Sequence, residues 1–142
     1  IRNARCLDLF AGSGGLGFEA LSRYAKTVTF IEKEAQAADQ LIRNVNALKL
    51  PKSQYSIIQT DAFDFLRDTQ ANFDIIFVDP PFGKKMLAPS IQMILNHDLL
   101  SKDGLLYVEY ESEAHIDWSR LKLKLVKEKS TRALVCALLT RQ

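Results

Sequence analysis

Four of the chain's six glycines fall within six residues, Gly12-Ser13-Gly14-Gly15-Leu16-Gly17. What flanks this run constrains the fold more than any other feature. Arg5-Cys6-Leu7-Asp8-Leu9-Phe10-Ala11 before it reads as a short apolar strand. Phe18 to Tyr24 after it reads as a helix, with Leu16, Ala20, Leu21 and Tyr24 on one face. Glycines let backbone approach a ligand closely, and a helix N-terminus offers free N–H groups. Strand, glycine loop and helix therefore predict a nucleotide-binding unit, with Gly12, Gly14 and Gly17 matching G-x-G-x-x-G. The alternation continues. Strands are predicted over 27–32, 55–60, 74–79 and 104–110, and helices over 35–48, 62–68 and 87–96. In the second helix Ala38, Leu41, Ile42, Val45 and Leu48 form one stripe. Asp103-Gly104 reads as a turn into the strand Leu105-Leu106-Tyr107-Val108. Such alternation gives an α/β fold, a doubly wound and mostly parallel sheet. The tail departs from it. Leu121 to Leu125 alternates, Ser130-Thr131-Arg132 intervenes, and Ala133 to Leu139 is strongly apolar. A connection that short demands a C-terminal antiparallel hairpin.

Two cofactor types suit the glycine loop, a dinucleotide or S-adenosylmethionine. Glu32 closes the strand Thr27-Val28-Thr29-Phe30-Ile31 at the offset expected of a ribose-binding acid. Asp8 favours S-adenosylmethionine, because a negative charge beside the loop repels a pyrophosphate and suits a sulfonium or α-amino group. Asp61 ends the strand Tyr55 to Thr60. Its carboxylate suits an adenine amine, and the Ala62 N–H a ring nitrogen. Asp61 also suits a helix N-cap, and the two roles are compatible.

The fourth strand, Ile75-Ile76-Phe77-Val78, runs into Asp79-Pro80-Pro81-Phe82. Proline lacks an N–H and holds φ fixed, so this is a stiff loop at a strand's carboxyl end, where open α/β sheets bind ligands. The tetrapeptide suits a flat amino group: Asp79 accepts one N–H, a carbonyl beside Pro80 and Pro81 accepts another, and Phe82 stacks on the ring. A plain turn is the competing reading, and core packing below the loop the competing one for Phe82.

Bulk properties exclude more than they assign. A chain of 142 residues, 47% hydrophobic and 25% charged, is one globular domain. The net charge of +2 announces no nucleic-acid binder. Lys84 and Lys85 flank the proline loop and suit phosphates, whereas Lys122, Lys124, Lys127 and Lys129 read as a solvated strand face. Cys6 and Cys136 lack metal-ligand spacing, and His97 and His115 stand alone, so no metal site is expected. Reduced thiols fit the cytoplasm. No apolar run approaches membrane-spanning length, so no membrane is expected. The start at Ile1, a few residues before the first strand, reads as that of a fragment of a longer protein.

These features together resemble the class I S-adenosylmethionine-dependent methyltransferases. The stretches Cys6 to Tyr24, Phe30-Ile31-Glu32, Phe77 to Phe82 and Leu106-Tyr107-Val108-Glu109 are similar to the RsmD-type 16S rRNA guanine methyltransferases. The resemblance spans nearly the whole chain, as one catalytic domain over 1–142. It implies transfer of a methyl group to the exocyclic N2 amine of a guanine in 16S rRNA, free or within an assembling small subunit. It places Asp8, Gly12, Gly14 and Gly17 on the cofactor loop, Glu32 on the ribose hydroxyls, Asp61 and Ala62 on adenine, and Asp79 to Phe82 on the target amine. Gly15 stands where alanine is usual, and the family's N-terminal segment, which helps contact RNA, is absent. A monomer is expected. The competing functions are a methyltransferase for another planar amine (adenine or cytosine in DNA, or a protein glutamine), a nicotinamide-dependent oxidoreductase, and a catalytically silent RNA-binding module.

Overall fold

The computed structural model describes residues 1–83 and 85–142. Its strands are β1 (Arg5–Asp8), β2 (Thr27–Glu32), β3 (Tyr55–Gln59), β4 (Phe73–Val78), β5 (Leu100–Glu111), β6 (Leu123–Ser130) and β7 (Leu134–Arg141). Between them run α1 (Gly15–Ser22), α2 (Ala35–Ala47), α3 (Ala62–Asp68) and α4 (Leu87–Asn96). One sheet holds all seven strands in the order β3-β2-β1-β4-β5-β7-β6. The first five are parallel. β7 runs antiparallel to both β5 and β6, so the hairpin is folded back with its second strand inserted beside β5. The apolar alternation of β7 explains the insertion: Val135, Ala137 and Leu139 are buried, while β6 buries only Leu123 and shows its lysines to solvent. A charged edge strand also resists pairing with other chains.

A core lies on each face of the sheet. On one, Leu7, Leu66, Ile76, Ile91, Ile94 and Leu106 are fully buried beneath α3 and α4. On the other, Ala20, Val28, Phe30 and Leu41 pack under α1 and α2. Gly17 lets α1 settle there, since a Cβ on it would stand 2.2 Å from the Phe30 ring.

Three expectations are corrected. The stripe on α2 is wider than its buried face: Ala38, Leu41 and Val45 are buried, but Ile42 and Leu48 are exposed. Tyr24 lies past the end of α1 with φ +70°, and its exposed ring is covered by the Arg2 guanidinium, 4.9 Å from the centroid. Asp103-Gly104 lies inside β5 rather than before it; the pairing with β4 shifts from Leu100 opposite Phe73 to Leu105 opposite Ile75. No helix among the described residues is long and apolar enough to cross a membrane.

Candidate active site

In an open parallel sheet the ligand crevice forms at the carboxyl ends, where strand order reverses. Here the reversal lies between β1 and β4, and a cavity of about 690 Å³ opens there. Its wall includes Gly12 and Ser13 after β1, Glu32 at the end of β2 and Glu34 after it, Asp61 and Ala62 after β3, and Asp79, Pro80, Pro81 and Phe82 after β4.

Each wall residue is held by its own local structure. The Gly12 N–H donates to Glu32 Oε1 (2.9 Å) and the Glu34 N–H to Oε2 (2.8 Å). Glu32 thus staples the glycine loop to the β2–α2 loop and is fixed in orientation. Gly12 has φ +54°, and a Cβ there would meet nothing within 4 Å, so the backbone leaves open space beside the carboxylate. Asp61 caps α3: Oδ1 accepts from the Phe63 N–H (2.8 Å) and the Asp64 N–H (3.2 Å). Among the described residues Oδ2 accepts nothing, so the cap leaves one oxygen for a ligand.

Asp8, Gly14 and Gly17, all assigned to the cofactor loop from sequence, stand behind this wall. Asp8 is 2% exposed, and its Oδ2 accepts the Gly17 N–H at 3.1 Å. It caps the third residue of α1 from the end of β1. Burial pushes its carboxyl up to about 7; the Gly17 bond opposes this, and the Asp79 and Glu32 carboxylates add to it. Gly14, φ +86°, precedes α1, and a Cβ there would collide with Leu41 and Phe18. These three shape the loop rather than line the cavity.

The proline loop joins the site at its far side. Pro80 is buried, Pro81 is exposed, and Phe82 is 59% exposed, so the ring stands at a loop tip and packs into no core. The Gly83 N–H donates to Glu111 Oε1 (2.8 Å), tying the tip to β5. Asp79 is half-buried, and burial pushes its carboxyl up to about 6, with the Glu109 carboxyl adding to the shift. Lys85 is exposed; Lys84 lies outside the described residues.

Sequence reasoning assigned no role to Glu109. The signal was available: it is an acid at the end of the apolar run Leu105 to Val108, the same placement that singled out Glu32. Register explains why it matters. Val78 pairs with Val108, so Asp79, the first residue past β4, stands beside Glu109 of β5, and the Glu109 carboxyl helps raise that of Asp79. Tyr107, two residues earlier on the same face, donates its hydroxyl to Glu109 Oε1 at 2.7 Å.

Among the described residues, Glu32, Glu34, Asp61 and Asp79 give the cavity wall four carboxylates against one lysine, Lys33. Such a lining attracts a cation and opposes a pyrophosphate. A parallel sheet ending in an inserted antiparallel strand, with an acid-lined crevice at the switch point, is the Rossmann-like fold of the class I methyltransferases. A family model described as Conserved hypothetical protein 95 matches residues 1–140, and the chain belongs to that family. Ribosomal RNA small subunit methyltransferase D of Haemophilus influenzae is 41% identical over 130 residues, covering 87% of this chain and 67% of its own. The protein of the same name from Escherichia coli is 42% identical over 113 residues, covering 80% of this chain and 56% of its own. The chain thus spans between about half and two thirds of these relatives. A solved structure of a candidate methylase from Haemophilus influenzae superposes with TM-score 0.92 at 38% identity, over 99% of this chain and 81% of that one.

Proposed function

We propose that the protein transfers a methyl group from S-adenosylmethionine to the exocyclic N2 amine of a guanine in small-subunit ribosomal RNA. The observation that carries this is the shared wall: Asp79 and Phe82 line the same cavity as Glu32 and Asp61. A target amine at the proline loop is thereby brought to a cofactor held by the two other acids. The residues fit that cofactor. Glu32, already oriented by two backbone N–H groups, would hold the ribose hydroxyls. The spare oxygen of Asp61 and the Ala62 N–H would hold adenine, and the acidic lining suits a sulfonium. When bound, the cofactor supplies a methyl group activated by the positive sulfur.

The chain's own work is on the amine. A guanine amine is a poor nucleophile, because its lone pair is delocalised into the ring. Hydrogen bonds from its N–H groups to Asp79 and to the Pro80 carbonyl favour a pyramidal nitrogen and localise that pair. A bond to a charged acceptor is worth roughly 1.5–3 kcal/mol net. Strengthened only in the transition state, one such bond gives roughly one to two decades of rate. Alignment supplies the rest of the acceleration. The nitrogen sheds a proton as it gains the methyl, and a carboxyl pushed up to about 6 is a competent acceptor. Phe82 offers its face to the extruded base.

Two measurements test the proposal. Calorimetry of the intact protein should detect S-adenosylhomocysteine and not NAD. Labelled methyl transfer to unmodified small ribosomal subunits, with mapping of the product, should give a single N2-methylguanine. Binding of NAD alone, or methylation of another base, would refute it.

A further inference from the structure

We propose that Glu109 reads the ring N1–H of the target base, so that Asp79 and Glu109 together select guanine over bases whose ring nitrogen is an acceptor. The inference rests on the methyltransferase reading and names a specificity residue within it. Register places the two carboxyl groups side by side where β4 ends and β5 runs on beside it, one position past the Val78–Val108 pair. Glu109 is not free to swing. Its Oε1 accepts the Tyr107 hydroxyl at 2.7 Å, and the Tyr107 ring packs edge-on against Phe77, 5.9 Å between centroids. The hydroxyl has one hydrogen and spends it on Glu109, which therefore presents an acceptor.

The surroundings leave room for a base. A second cavity of about 400 Å³ opens beyond the proline loop, with Glu109 on its wall. Pro80, Pro81 and Phe82 line both cavities. An amine at that partition would have Asp79 on the cofactor side and Glu109 on the other.

The chemistry of the bases decides the rest. In guanine the exocyclic amine has a donor as its ring neighbour, N1–H. In adenine and cytosine the neighbour of the amine is a bare ring nitrogen, an acceptor. Ionised carboxylates only accept. Two of them side by side match a donor–donor edge and repel a donor–acceptor one. They also repel each other, which adds to the rise of the Asp79 carboxyl. A guanine edge meets the pair with two N–H donors, which offsets that repulsion.

The test compares two RNAs, with guanosine or 2-aminopurine riboside at the mapped target position. 2-Aminopurine keeps the exocyclic amine but has an acceptor at N1. The wild-type protein should prefer guanosine in kcat/KM by at least about a hundredfold, since a site built around a hydrogen bond strongly rejects the analogue lacking it. In E109Q the amide can turn its NH₂ to the ring nitrogen, and the preference should fall at least tenfold while S-adenosylhomocysteine affinity is kept. D79N should slow both RNAs in similar proportion. A wild-type ratio near one overturns the assignment, as does an unchanged ratio in an E109Q protein that still binds S-adenosylhomocysteine. If E109Q loses that binding, the wild-type ratio alone decides. Methylation of neither RNA, with no S-adenosylhomocysteine bound, overturns the methyltransferase reading and this inference with it.

Discussion

Replacing Asp8 by Asn should change how stability depends on pH, by an amount the structure sets. The Asp8 carboxyl is pushed up to about 7, first by burial and then by the Asp79 and Glu32 carboxylates, against the pull of the Gly17 N–H. An unfolded chain releases this proton at about pH 3.9. Between those values the folded chain binds one more proton than the unfolded one, so stability falls as pH rises. Each pH unit in the window costs about 1.4 kcal/mol. From pH 5 to pH 8 the window covers about two units, so wild type should lose roughly 3 kcal/mol that Asp8→Asn does not lose. Asn keeps an oxygen for the Gly17 N–H. Its amide needs a new partner, but that cost is independent of pH and cancels when the two slopes are compared. Groups other than Asp8 titrate in both proteins and largely cancel too. The assay is urea unfolding of both proteins at pH 5, 6, 7 and 8 under reducing conditions, which suits a chain of this size. Parallel stability curves for the two proteins across that range would refute the buried, neutralised Asp8.

Asp79→Asn should lower turnover at least about tenfold and leave S-adenosylhomocysteine affinity within about threefold, because a contact made in the transition state acts on kcat. Wild-type kcat/KM should rise with pH through about 6, as Asp79 loses the proton that burial and Glu109 help it keep; that limb should vanish in the Asn variant. Glu32→Ala should weaken S-adenosylhomocysteine binding by roughly 1.5–3 kcal/mol, as read by calorimetry, through loss of a charged acceptor. An unchanged affinity would leave Glu32 only its role of stapling two loops. Phe82→Ala should leave unfolding free energy within about 0.5 kcal/mol, as expected for a surface ring. It should weaken RNA binding by about 1–3 kcal/mol in filter or anisotropy titration, the cost of one base stack.

The sequence by itself determined most of what depends on local pattern. Apolar runs spaced by amphipathic stretches set the order of strands and helices, and the glycine run marked the first βα turn. Glu32 closing β2, Asp61 shortly after β3 and Asp79 following β4 marked the rim of a crevice, since the last residues of parallel strands lie at the sheet's carboxyl edge. What only the tertiary structure decided depends on neighbours distant in the chain. The insertion of β7 beside β5 follows from which hairpin strand has an apolar face to bury, a comparison across the whole sheet. Asp8 turns inward because α1 brings the Gly17 N–H to it, and local pattern cannot say where a helix lands. Leu48 and Tyr24 are exposed because they lie past the ends of α2 and α1, and Ile42 because α2 turns only Ala38, Leu41 and Val45 to the sheet. Glu109 meets Asp79 through the register of β4 against β5, across 30 residues of chain; pairing register is set by packing of both strands at once, and neither strand carries it alone.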